Sequence, residues 1–208
     1  MSLLTQLRSS AVVARSMMAP FERPDRLPRA LAAMAPWGRT TAGVLAGAAA
    51  RYPDRAAVID DAGTISYAEL WRRTQAITTG LQACDIRAGR RVGLLARNHR
   101  GFVEALAAVA ASGADLVLLN TGFAGPQLAD VVQSEQIDAL IHDDEFVEIA
   151  AACGVELTID ERALDDMARA GSIEPSREQG SVVILTSGTT GRPKGAARSS
   201  DAAGVEAV

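Results

Sequence analysis

The sequence has 208 residues, 48% of them hydrophobic and 22% charged, with 21 basic against 25 acidic residues and a net charge of −4. That composition belongs to a globular chain with a sizeable core and excludes a disordered one, and it offers no basic field to hold a nucleic-acid backbone. Two cysteines, Cys84 and Cys153, cannot make a disulfide framework and point to a reducing, cytoplasmic setting, and no His/Cys group has metal-ligand spacing along the chain.

Met1 to Pro20 reads as an amphipathic helix docked on the body, within an amino-terminal helical extension over 1–35. Arg8 and Arg15 interrupt any signal-like apolar core, and two positive charges give little purchase for peripheral contact with an anionic membrane. From Pro36 the pattern alternates. Thr41 to Arg51 predicts a helix, and Ala56 to Asp60 with Thr64 to Ser66 predicts a hairpin around Asp61-Ala-Gly63. Ser66 and Glu69 form a capping box for a helix that buries Leu70, Ile77 and Leu81.

Arg91 to Ala96 predicts a strand, with Asn98 capping a helix that carries Phe102, Val103, Leu106, Val109 and Ala110 and stops at Gly113. Asp115 to Asn120 follows as a strand. Gly125-Pro126 then opens a helix with Leu128, Val131 and Val132 on one face, Ala139 to His142 is another strand, and Asp144 to Cys153 a short helix. Such alternation implies an α/β fold, a mostly parallel sheet flanked by helices, because parallel neighbours need crossover connections. Gly171 to Gly180, polar and containing Pro175, is the expected connection, and 196–208 reads as low-complexity coil.

The chemistry concentrates in Ser181 to Ala196, SVVILTSGTTGRPKGA. Val182 to Leu185 is a continuous apolar run, as expected of a strand covered on both faces. It breaks into Thr186, Ser187, Gly188, Thr189, Thr190 and Gly191, where glycines allow a close backbone approach and hydroxyls and peptide N–H groups form a concave donor array suited to polyphosphate oxygens. Lys194 is the sole lysine in a chain whose other basic residues are all arginine, which suits a site needing a compact point charge rather than a planar fork. Pro193 and Gly195 stand where a Walker A loop needs Gly and Ser/Thr, so the segment is not that loop.

In this order the segment resembles the signature ATP-phosphate loop of the adenylate-forming (AMP-binding) enzymes, and within them the fatty-acid–CoA ligases. Ile65-Ser-Tyr-Ala-Glu-Leu70 and Gly113 to Asn120 agree with the same family, so the resemblance covers roughly Pro36 to Gly195, expected as the partial amino-terminal domain over 36–195. It implies ATP, Mg2+ and coenzyme A, with a fatty acid as the other small-molecule substrate. Thr186 to Gly191 would wrap the β- and γ-phosphates, Lys194 would offset their charge as the catalytic group, and a loop hydroxyl, taken as that of Thr186, would ligate magnesium. The resemblance also places the family's adenine contacts, acyl pocket and second catalytic lysine beyond Val208, so this stretch by itself is expected to be inactive, the alternatives being a non-catalytic nucleotide-binding or regulatory fragment, or a remnant without function.

The remaining polar residues read blandly. His99 is a surface helix start, and His142, Asp143, Asp144 and Glu145 form a solvated loop. Trp37 and Trp71 are core, Cys84 and Cys153 are buried inert thiols, and Asp165 and Asp166 have no paired geometry.

Overall fold

The computed structural model describes residues 25–170, 180–186 and 194–198. Met1 to Pro20, Ser187 to Gly191, most of the connection at 171–179 and the end of the chain at 199–208 lie outside the described residues.

Helix α1 (Arg26–Met34) and a single 3-10 turn (Ala35–Trp37) lead into α2 (Thr41–Arg51), whose cap is the Thr40 hydroxyl accepting from the Gly43 amide. Strands β1 (Ala56–Asp60) and β2 (Gly63–Ser66) pair as the expected antiparallel hairpin. Helix α3 (Tyr67–Ala83) begins where Ser66 Oγ accepts from the Glu69 amide, which is half of the expected box. The other half is replaced, because the Glu69 carboxylate turns to the Arg72 guanidinium instead.

The main sheet contains β3 (Arg91–Leu95), β4 (Asp115–Leu118), β5 (Ala139–His142), β6 (Leu157–Ile159), β7 (Val182–Thr186) and β8 (Lys194–Arg198), in the order β6-β5-β3-β4-β7-β8. The first five in that order run parallel and β8 returns antiparallel to β7. Helices α4 (Arg100–Ser112), α5 (Gly125–Ser134), α6 (Val147–Ala152) and α7 (Glu161–Ala168) supply the crossovers. Gly113 ends α4 with φ 85°, a left-handed conformation that a Cβ disfavours.

Alternate strand residues face opposite layers. Val92, Leu94, Leu116 and Ile141 meet Ile77, Leu81, Val109 and Leu164 of α3, α4 and α7. Leu95, Val117, Leu140 and Val183 meet Leu128, Val131, Val132 and Ala150 of α5 and α6. Burial on both sides explains why these strands read as unbroken apolar runs.

Four expectations change. The cap of α4 is His99, not Asn98: His99 takes the extended conformation that precedes a helix, and its Nδ1 accepts from the Gly101 amide. Ile184 is 43% exposed, so β7 is fully covered only on the Val183 face; on the other, Val182 packs against the α3, α4 and α7 layer and Ile184 opens to solvent. Ala196 to Arg198 are strand rather than coil, because pairing with β7 supplies what the Ala-rich sequence does not advertise. Cys84 is exposed at the carboxyl end of α3, while Cys153 is half-buried with its thiol donating to the Ile149 carbonyl and its pKa raised by burial. Strand β6, absent from the expectations, adds a rung beyond β5.

Candidate functional site

Because five strands run parallel, Leu95, Leu118, His142, Ile159 and Thr186 all end on one edge of the sheet, the edge at which open α/β sheets bind ligands. Thr186 closes β7 and is the register partner of Lys194, which opens β8. The sequence-predicted phosphate residues therefore begin and end at that edge. Ser187, Gly188, Thr189, Thr190 and Gly191 fall between these two, outside the described residues.

A second group of polar residues sits about 10 Å along the same edge, two strand spacings from β7. Here β3 connects through α4 on one face and β5 through α6 on the other, so the neighbouring strands β3 and β5 form a topological switch point. Asp143, 5% exposed, accepts from the Arg97 amide at 2.6 Å and from His99 Nε2 at 2.9 Å. His142 Nδ1 donates to the Asp143 carbonyl at 2.9 Å, and Arg97 pairs with Glu145 at 2.8 Å over the Phe146 ring. The expected solvated loop is thus a buried junction at His142 and Asp143, with solvent reaching Asp144 and Glu145.

A cavity of about 170 Å³ opens behind this junction, lined by Leu94, Ile141 and Leu164 and by Arg73, Glu104 and Asp165. Glu104, 1% exposed, receives Arg73 Nε at 2.6 Å, and Arg73 Nη2 reaches Asp165 at 2.9 Å. Hydrogen bonding to Glu104 holds the Arg73 guanidinium firmly protonated. Asp165 and Asp166 each pair with Arg169 within the same helical end, and Asp165 also meets Arg73 from far along the chain. Arg100, at the start of α4, grips Asp60 of the hairpin and holds its carboxyl well below the usual carboxylate range.

The fold also assembles what sequence spacing hid. Ligand atoms of His99, Asp143 and Glu161 lie within 4.8 Å of one another, metal-binding reach. Burial raises the Glu161 carboxyl, helped by Asp143 and Asp144. Yet His99 Nδ1 already accepts from Gly101, so the neutral ring carries its proton on Nε2 and donates it to Asp143. A metal at Nε2 would have to displace that proton. The group therefore acts as a clasp between the β3 and β5 loops. No buried side-chain polar atom among the described residues lacks a partner, so the frame of the edge is chemically satisfied.

The sequence reading missed the Arg73–Glu104–Asp165 and His99–Asp143–Glu161 groups, which line one cavity. One signal was there: Glu104 is a lone carboxylate in the buried stripe of α4, which demands a cation.

The family model described as AMP-binding enzyme matches residues 45–206. Feruloyl-CoA synthase from Amycolatopsis sp. is 36% identical over 155 residues, 71% of this chain and 31% of that protein. The inhibitor-bound N-terminal domain of FACL13 from Mycobacterium tuberculosis superposes with TM-score 0.70 at 26% identity, over 76% of this chain and 44% of that one. The o-succinylbenzoate CoA synthetase (MenE) of Bacillus subtilis, solved with its acyl-adenylate OSB-AMP, gives TM-score 0.61 at 27% identity, over 73% and 40%. The chain spans about a third of the length of the curated relatives it matches first.

Proposed function

This chain belongs to the AMP-binding enzyme family, and from that premise we propose that the bend between Thr186 and Lys194 holds the triphosphate of ATP for AMP-forming ligation of a carboxylic acid to coenzyme A. The acid's carboxylate attacks the α-phosphate, its oxygen bonding to phosphorus while pyrophosphate leaves, and an acyl-adenylate results. The coenzyme A thiol then attacks the acyl carbon, giving a thioester and AMP. Adenylation replaces a hopeless leaving group with a good one, so the barrier rests on charge developing on the departing pyrophosphate.

In this reading the amides and hydroxyls of Thr186, Ser187, Gly188, Thr189, Thr190 and Gly191 donate to the β- and γ-phosphate oxygens, and the Lys194 ammonium offsets their charge. Magnesium, when bound with the nucleotide, neutralises phosphate charge, and the hard hydroxyl of Thr186 suits it as a ligand. The His99–Asp143–Glu161 clasp does not, because the His99 proton blocks it. The observation that carries the proposal is the placement of Thr186 and Lys194 as register partners at the carboxyl edge of a parallel sheet.

The acid we propose is a fatty acid, as the sequence resemblance names. The relative acting on feruloyl groups favours an aromatic acid as the second reading. Calorimetry of the chain with MgATP, beside ATP–pyrophosphate exchange over fatty acids and ferulate, tests both. Saturable MgATP binding that weakens at least tenfold in Lys194→Met is expected of this stretch, and exchange stimulated by fatty acids is expected when it is complemented by the remainder of a family member's domain. Exchange with ferulate alone transfers the assignment to aromatic acids, and no saturable binding overturns the loop reading.

A further inference from the structure

Aspartate is a poor strand former, yet Asp115 is the first residue of β4. Its side chain explains the choice. Asp115 Oδ1 accepts from the Ser181 amide at 2.6 Å and from the Ser181 hydroxyl at 2.7 Å, where the chain enters β7. The Leu116 amide returns a bond to the Ser181 carbonyl at 2.8 Å, and the Asp115 amide donates to the Arg90 carbonyl at 2.9 Å, which ties the same residue back to β3. One residue earlier, a Cβ on Gly180 would stand 1.9 Å from the Ala114 carbonyl oxygen, a backbone atom that cannot swing away. The entry to β7 therefore fits against β4 in one position.

That position propagates. β7 meets β4 in the register Leu116↔Val182, Val117↔Val183, Leu118↔Ile184 and reaches Thr186 two residues later. Its other neighbour, β8, lies across the bend and is in register with β7 itself, so β8 cannot fix β7 against the domain. A slip of one residue would carry Thr186 about 3.3 Å along the sheet and turn Val183 out of its core.

We infer that Asp115 and Ser181, seated by Gly180, are positioning residues for the phosphate bend: they set the register of β7 on β4 and thereby fix where Thr186 and Lys194 stand relative to the rest of the edge. This rests on the proposed reading of the bend, and it adds residues at the opposite end of the strand, at the far edge of the sheet, which touch no substrate.

The test uses Asp115→Val and Ser181→Ala, which remove the acceptor and the hydroxyl, beside Asp115→Asn and Ser181→Thr, which keep them. Each variant is first confirmed folded by circular dichroism at the working temperature. Titration with MgATP and with inorganic tripolyphosphate should show the first pair weakened by about fivefold or more and the second pair within about threefold of the parent. A purely structural role would lower the melting temperature and leave the affinity of folded protein unchanged, and that result overturns the inference. Amide hydrogen exchange across 182–186 decides the same point without nucleotide. The first pair should exchange about tenfold faster there while β3 and β5 keep parental rates, and unchanged exchange overturns the inference. A parent that binds neither ligand, with exchange behaving as stated, removes the reading of the bend and leaves the anchor in place.

Discussion

The two ends of the parallel sheet are built differently. Around β3 and β5 both layers of helices are present, and Arg73, His99, Arg100, Asp143 and Glu104 tie loops and helices together by bonds that span long stretches of chain. At β7 only the Val183 face is well buried, Ile184 stands open, and among the described residues the side-chain bonding to the sheet is at the Ser181 end. A frame whose polar groups satisfy one another has nothing left to offer a ligand. A strand pinned at its amino end carries its carboxyl end to the edge at which the other parallel strands also finish.

The largest effect expected from breaking this contrast is in the frame. Glu104→Ala leaves Arg73 half-paired in a buried setting and should cost about 3 kcal/mol, read from urea unfolding, since removing one partner of a buried ion pair strands the other. Next, the two faces of β7 should separate cleanly. Val183→Ala is expected to cost about 1.5 kcal/mol, whereas Ile184→Ala should stay within about 0.5 kcal/mol; equal losses would mean that the open face is covered after all. The smallest effect is in acid. Asp60 has a folded pKa below its ordinary value of 3.8 because Arg100 bonds its charged form, so its contribution is present above about pH 4 and is lost as pH falls further. Thermal melts between pH 7 and pH 3 should therefore show the parent losing stability more steeply below pH 4 than Asp60→Asn does.

What could be read from sequence was local. The hairpin at Asp61 to Gly63, the stop at Gly113 and the helix opened by Pro126 each declare themselves within a few neighbouring residues. The frame did not, because Arg73 meets Glu104 31 residues away, His99 meets Asp143 at 44, and Asp115 meets Ser181 at 66. Nor could the choice of cap between Asn98 and His99 be read, since both side chains accept a hydrogen bond and the backbone at His99 decides. Ala196 to Arg198 failed for a related reason: a weak strand former becomes strand when a strong neighbour pairs with it. The candidate site was legible as residue types and only partly as a place, since Thr186 and Lys194 are located and the residues between them lie outside the described ones.

Trp37 and Trp71, the two indoles of the sequence, meet edge to face with ring centroids 5.1 Å apart and planes at 88°. Both belong to the helical corner made by the turn after α1, α2, α3 and α4, and neither is on the sheet. Ultraviolet emission from this protein therefore watches one corner: it reports the docking of the amino-terminal helices, and neither indole stands at the carboxyl edge of the sheet. Whoever follows ligand capture optically must install a fluorophore near the bend, or use a nucleotide that brings one.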